Sequence, residues 1–245
     1  MQGSHETTDE LRTYGLRVIQ PRHGYRFSLD PLLLCAFAEP DAGGRIADLG
    51  TGCGIIPLIL ARKDEQARVV GVEQQEGLAA LAGSNVCLNG LGGRVTILRC
   101  DVIELRALFP TSSFDAVVAN PPYRRRGTGK VSPKAGRDNA RHESTAGLAD
   151  FLDAAKYLVR PGGRICFIYH PSRLVELLAS AASLKLAPLR LRMVHGNREA
   201  PARMFMVELA KGRKGELNVL PPLFVYDGDG EYSEEVRMIL GEKGA

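Results

Sequence analysis

The chain has 245 residues, 44% of them apolar and 24% charged, with 27 Gly, 14 Pro, no Trp and a net charge of +4, which excludes fibrous and disordered classes and fits one large domain or a domain with an extension. Apolar stretches such as Ile55–Ala61 fall far short of the ~20 residues of a membrane span, and the polar start Met1–Glu10 lacks the apolar core of a secretory leader, so a soluble cytoplasmic protein without membrane attachment is expected. Five cysteines (Cys35, Cys53, Cys87, Cys100, Cys166), odd in number and without a C-x-x-C pair, speak against a disulfide framework and a zinc site, and no metal is expected.

In chain order, residues 1–43 predict a short N-terminal strap or lid, too small for an independent domain. Within it Ser28 and Asp30 precede Pro31-Leu32-Leu33-Leu34, which predicts a helix capped by Asp30 with Pro31 in its first position. Residues 44–245 read as one domain. Short β-branched runs at Ile46–Leu49, Arg68–Val72, Arg94–Leu98, Phe114–Ala119 and Arg164–Tyr169 predict strands. Between them lie predicted helices at Ile55–Arg62, Gln75–Asn89 (closed by Gly90) and Leu148–Leu158, the last followed by Pro161-Gly162-Gly163 as a stop. A helix near Leu174–Ser183 and strands Leu189–Val194 and Arg203–Leu209 complete the pattern. Such alternation predicts an α/β fold with a parallel, doubly wound, Rossmann-like sheet. Gly127–Ala140 is the one long polar loop inside the sheet region, and loops of that length in a compact domain are usually functional or disordered.

Asp48-Leu49-Gly50-Thr51-Gly52-Cys53-Gly54 falls where the first of these strands ends and a helix begins, the crevice position at which open α/β sheets bind ligands. The pattern is G-x-G-x-G, and Ile55 stands where the dinucleotide fingerprint G-x-G-x-x-G needs its last glycine. Asp48 would also sit badly beside a pyrophosphate, whereas it suits a ligand carrying an ammonium group. Glu73 ends the second strand, 25 residues after Asp48, where a carboxylate can accept from both ribose hydroxyls. Asp101 follows the third strand, where it can accept from an adenine amino group. Three acids at three consecutive strand ends, with glycines at the first, point to an adenosine-bearing cofactor.

The fourth strand ends in Asn120-Pro121-Pro122-Tyr123. Its prolines remove backbone donors and stiffen the turn, leaving the Asn120 amide oxygen and the Pro121 carbonyl as acceptors for both hydrogens of a planar NH₂, with the Tyr123 ring to stack on its π-face. Paired with the glycine motif, this sequence resembles the S-adenosylmethionine-dependent amino-methyltransferases of class I. Three further stretches narrow the likeness: Gln20-Pro21-x-x-Gly24-Tyr25-Arg26-Phe27-Ser28-x-Asp30, Gly129-Lys130-Val131-Ser132-Pro133 with Arg141-His142-Glu143, and Leu220-Pro221-Pro222 with Asp227-Gly228-Asp229-Gly230. Together they resemble the bacterial tRNA (valine) adenine-N6 methyltransferase family, from about Leu16 to Leu240.

The resemblance implies a methyltransferase domain over residues 44–245, S-adenosylmethionine as cofactor and methyl transfer to an adenine N6 in RNA, in the anticodon loop of a tRNA. It implies that Gly50, Thr51, Gly52 and Gly54 line the methionine end of the cofactor, that Asp48 meets its amino group, Glu73 its ribose and Asp101 its adenine, with Asn120 also at the cofactor. Arg26 and Phe27 match a strap that closes over the cofactor. Asn120, Pro121, Pro122 and Tyr123 would hold the target amine. In DNA and RNA adenine methyltransferases an aromatic often follows that tyrosine, and here Arg124 stands in its place, where a guanidinium can stack on a base or pair with phosphate.

Charge points the same way. Arg124, Arg125, Arg126, Lys130, Lys134, Arg137 and Arg141 stand against Asp138 alone, so this one segment holds more positive charge than the whole chain's net. Adjacent to the base pocket, it is the expected RNA contact. Rival readings are methylation of a protein glutamine, whose enzymes carry a helical domain ahead of the catalytic one that residues 1–43 are too few to form, methylation of a ribosomal guanine N2, and a silent RNA-binding module. Intact Asp48, Glu73, Asp101 and Asn120 speak against the last.

Overall fold

The computed structural model describes residues 6–22, 26–122, 146–228 and 230–241. Its sheet begins as the alternation predicts: β3 (Arg45–Leu49), β4 (Arg68–Glu73), β5 (Val95–Arg99) and β6 (Phe114–Ala119) are mutually parallel, joined by α2 (Ile55–Lys63), α3 (Glu76–Leu88) and a short α4 (Leu105–Leu108). The second half follows with α5 (Leu148–Leu158), β7 (Val159–Tyr169), α6 (Leu174–Ser183), β8 (Leu186–His195) and β9 (Ala202–Lys211). Among the described residues the strand order is β10-β8-β9-β7-β6-β3-β4-β5, with two-residue β10 (Asn218–Val219) and β11 (Leu223–Phe224) both on β8.

The sheet is mixed rather than wholly parallel. β9 runs antiparallel to β7 and β8, because six residues between β8 and β9 are too few for the crossover that a parallel pair requires. Helix α5 ends at Leu158 as expected, but the following strand starts earlier than Arg164, at Val159, so that Pro161-Gly162-Gly163 forms an irregularity within β7. Pairing jumps there from Phe114↔Val159 to Ala116↔Arg164.

The N-terminal segment is more than a strap. β1 (Glu6–Leu11) and β2 (Leu16–Pro21) form an antiparallel hairpin, and Leu16 and Val18 are buried in the same cluster as α1 (Asp30–Ala38) and α2. Helix α1 starts one residue earlier than read from sequence: Leu29 is its N-cap, Asp30 its first helical residue, and no side chain caps it. The Ser28 hydroxyl instead accepts from the Asp30 N–H. A last helix, α7 (Glu234–Leu240), unmarked by the sequence pattern, is capped by Ser233 and tied to β8 by a two-pronged Arg192–Glu235 pair at 2.5 and 2.8 Å.

Strand alternation divides the core. Ile46, Ala116 and Val118 face α1 and α2, while Ala47, Leu49, Val117 and Ala119 face α5 and α6, so the central strands are apolar on both sides. No helix among the described residues is long and apolar enough to cross a membrane.

Candidate active site

Parallel pairing brings the chemistry-bearing turns together. Leu49 of β3 pairs with Val72 of β4 on one side and Ala119 of β6 on the other, so Gly50, Glu73 and Asn120, each the next residue, emerge on one edge of the sheet. The same alternation puts Asp48 on the face of Ile46. Asp101 joins them after β5, whose Arg99 pairs with Glu73.

The glycine turn is built from backbone. The N–H groups of Gly50 and Thr51 both donate to the Val72 carbonyl at 2.9 Å, folding the end of β3 against β4. Gly50 has φ +76°, and a Cβ there would meet the Phe151 ring of α5 at 3.3 Å; Gly54 has φ +86°, and its Cβ would meet that of Ala82 at 3.1 Å. Side chains are therefore disfavoured twice at these positions, by conformation and by space. Asn85, fully buried on α3, bonds the Cys53 carbonyl and the Ile19 carbonyl (both 3.0 Å) and accepts from the Ile19 N–H (2.7 Å), linking the turn to the N-terminal hairpin. Sequence reasoning passed over Asn85; a lone polar residue on the inward side of α3 was its signal.

Glu73 is buried, and its carboxylate braces the turn: Oε2 accepts from the Gly52 N–H at 2.9 Å and Oε1 from the Gln75 N–H at 2.8 Å. Burial raises its pKa, and these N–H groups hold it back. Each oxygen keeps a second lone pair for a ligand hydroxyl.

Asp48 has no such support. It is completely buried, and neither carboxylate oxygen has a hydrogen-bond partner among the described residues, nor does the buried Thr51 hydroxyl. Burial pushes the Asp48 carboxyl up to about 7, opposed by the nearby Thr51 hydroxyl and reinforced by Glu73. A buried carboxylate without a partner is costly, and the cost is relieved by a ligand that brings a cation or several N–H donors. The ammonium end of S-adenosylmethionine has that chemistry. The residues fit the cofactor.

The remaining sequence-selected residues fall into three groups. Asp101 sits at the same edge and also caps the short helical turn Val102–Glu104, accepting from the Ile103 N–H at 3.2 Å. Arg26 is engaged by the hairpin, on Asp9 (2.6 Å), Thr7 (2.7 Å) and the Pro21 carbonyl (3.3 Å), while the Phe27 N–H donates to Gln20 and its ring packs on the core. Asn120 is half-buried, Pro121 buried and Pro122 exposed. Tyr123 and all seven basic residues from Arg124 to Arg141 lie outside the described residues.

Comparison with known proteins places the chain in a family. Residues 30–176 match the methyltransferase small domain. A protein from Porphyromonas gingivalis named tRNA1(Val) (adenine(37)-N6)-methyltransferase is 35% identical over 175 residues, covering 69% of this chain and 68% of its own. One of the same name from Erwinia tasmaniensis is 31% identical over 88% of this chain and 86% of its own. In structure, a protein from Agrobacterium tumefaciens described as a predicted O-methyltransferase superposes with a TM-score of 0.71 at 24% identity, covering 88% of this chain and 97% of its own, a likeness of fold. The chain belongs to the methyltransferase small domain family, in the group whose relatives are named tRNA1(Val) (adenine(37)-N6)-methyltransferases.

Proposed function

We propose that the protein transfers a methyl group from S-adenosylmethionine to the exocyclic N6 of an adenine in the anticodon loop of a tRNA, the adenine 37 named in its relatives. The observation that carries this reading is that Asn120-Pro121-Pro122 leaves β6 level with the glycine turn that leaves β3, next to a buried Asp48 carboxylate with no hydrogen-bond partner among the described residues.

Bound S-adenosylmethionine supplies an electrophilic methyl on a sulfonium; the chain's own residues do the rest by binding and orientation. The lone pair of an adenine N6 is delocalised into the ring and is a poor nucleophile. Accepting its two hydrogens on the Asn120 amide oxygen and the Pro121 carbonyl favours the pyramidal amine, whose lone pair is localised for attack. No protein nucleophile is required. The base must leave its stack to reach the turn, which costs least in a loop.

Mass spectrometry of nucleosides from tRNA incubated with the protein and labelled cofactor tests this: label in N6-methyladenosine is expected, and label confined to protein or to guanosine overturns it. Two companion results follow. Glu73→Ala, which removes both braces of the turn, is expected to weaken cofactor binding in calorimetry at least several-fold, since each polar group left unpaired costs ~1–3 kcal/mol. Unchanged affinity would remove Glu73 from the site. Neutralising Arg124, Arg125 and Arg126 is expected to weaken tRNA binding and flatten its salt dependence, by roughly 0.7 in log–log slope for each single-strand phosphate that is no longer neutralised, with cofactor affinity unchanged. An unchanged slope would show that these arginines do not meet the RNA backbone.

A further inference from the structure

Tyr169, the last residue of β7, is buried at 3% exposure, and its hydroxyl donates to the Pro122 carbonyl at 3.2 Å. Strand pairing explains the reach: Phe167 pairs with Ala119, so Tyr169 stands two residues further along β7, level with the turn that leaves β6. The carbonyl it holds controls a particular torsion. Along Asn120-Pro121-Pro122, each proline ring fixes its own φ, and each proline restricts ψ of the residue before it. Asn120 ψ, Pro121 φ, Pro121 ψ and Pro122 φ are thereby confined. The first torsion left free is ψ of Pro122, which sets the direction of the Pro122 carbonyl and the plane of the peptide leading into Tyr123.

Resting on the reading of Asn120–Tyr123 given above, we propose that Tyr169 is a positioning residue of this reaction: its hydroxyl completes the restraint begun by the two prolines by holding the Pro122 carbonyl. Arg173 supports it. Its guanidinium lies 5.8 Å from the centre of the Tyr169 ring, on a side chain 14% exposed that pairs with Glu176, and so covers the ring. No sequence pattern marks this role, because Tyr169 lies 47 residues from Pro122 and reads as an ordinary apolar strand end.

Tyr169→Phe removes the hydroxyl and keeps the ring. In steady-state methylation of tRNA it is expected to lower kcat by roughly fivefold to tenfold, the worth of one hydrogen bond, with KM for tRNA and cofactor affinity unchanged. Tyr157→Phe is the matched control, because the Tyr157 hydroxyl also donates to a backbone carbonyl, that of Phe109 at 3.0 Å, but outside the turn. It is expected to lose stability and keep its kcat. A second readout is independent of activity: the chain contains no tryptophan, so Tyr123→Trp places a single indole just after the turn. Its fluorescence anisotropy is expected to fall on adding Tyr169→Phe and to hold on adding Tyr157→Phe. Parental kcat in Tyr169→Phe, equal losses in the two phenylalanine variants, or an unchanged anisotropy overturns the proposal. A parent protein that methylates no tRNA overturns the functional reading instead, and the anisotropy then still decides whether Tyr169 restrains the turn.

Discussion

Asn120→Ala is expected to lower kcat by roughly a hundredfold or more while cofactor affinity stays close to that of the parent. The magnitude is that of removing one preorganised hydrogen-bonding group from a transition state. The asymmetry follows from timing: the Asn120 acceptor matters when the amine becomes pyramidal, so its loss appears in kcat rather than in ground-state binding. Asn120 is half-buried at the edge of the sheet, so its truncation leaves no core cavity and little change in stability is expected. Rapid-quench turnover with saturating tRNA, alongside calorimetry with the cofactor, separates the two effects. A fall of less than about tenfold, or 1.36 kcal/mol of barrier, would count against the mechanism.

Asp48→Asn is expected to act in two opposite directions. Without cofactor, the parent carries a buried carboxyl raised from 3.8 to about 7. A folded state that binds this proton more tightly than the unfolded chain is favoured at low pH. The contribution is full below about pH 4, is lost progressively as pH rises, and is gone above about pH 7. The side chain of Asn cannot ionise, so the variant lacks this slope and is expected to be more stable than the parent above pH 7, by on the order of a few kcal/mol. Affinity for S-adenosylmethionine is expected to fall at least roughly tenfold, because a charge-assisted hydrogen bond to its ammonium is gone. Thermal unfolding of both proteins from pH 4 to pH 8, with calorimetry at pH 8, checks both signs. Parallel stability curves would show that Asp48 is not held protonated, and equal affinity would show that it does not meet the cofactor.

These two residues illustrate how far the site was legible. Asp48, Glu73, Asp101 and Asn120 could be selected because each ends a strand, and strand ends on a parallel sheet must share an edge. Their individual circumstances could not be read. Glu73 and Asp48 look alike in sequence as acids ending adjacent strands; in the fold one carboxylate is held by two N–H groups and the other, among the described residues, by none. Arg26 likewise reads as free to close over a ligand, but the hairpin that engages it was not anticipated. Glu6–Leu11 and Leu16–Pro21 lack the long β-branched runs that marked the other strands, and their pairing depends on burial of Leu16 and Val18 against α1 and α2.

By itself the sequence determined the order of elements, the α/β class, the G-x-G-x-G turn and the Asn-Pro-Pro turn, because these depend on local chemistry: periodicity, ring-fixed torsions and glycines at the end of a strand. Tertiary structure alone decided the antiparallel entry of β9, the inclusion of the N-terminal hairpin in the core, the burial of Asp48 without a hydrogen-bond partner among the described residues and the hydroxyl of Tyr169 on Pro122. Each of these depends on which groups meet across long stretches of chain, and burial then sets their cost. An acid, an asparagine or a tyrosine carries no local mark of whether its partner will be water, backbone or nothing, and that choice is made when the sheet closes around it.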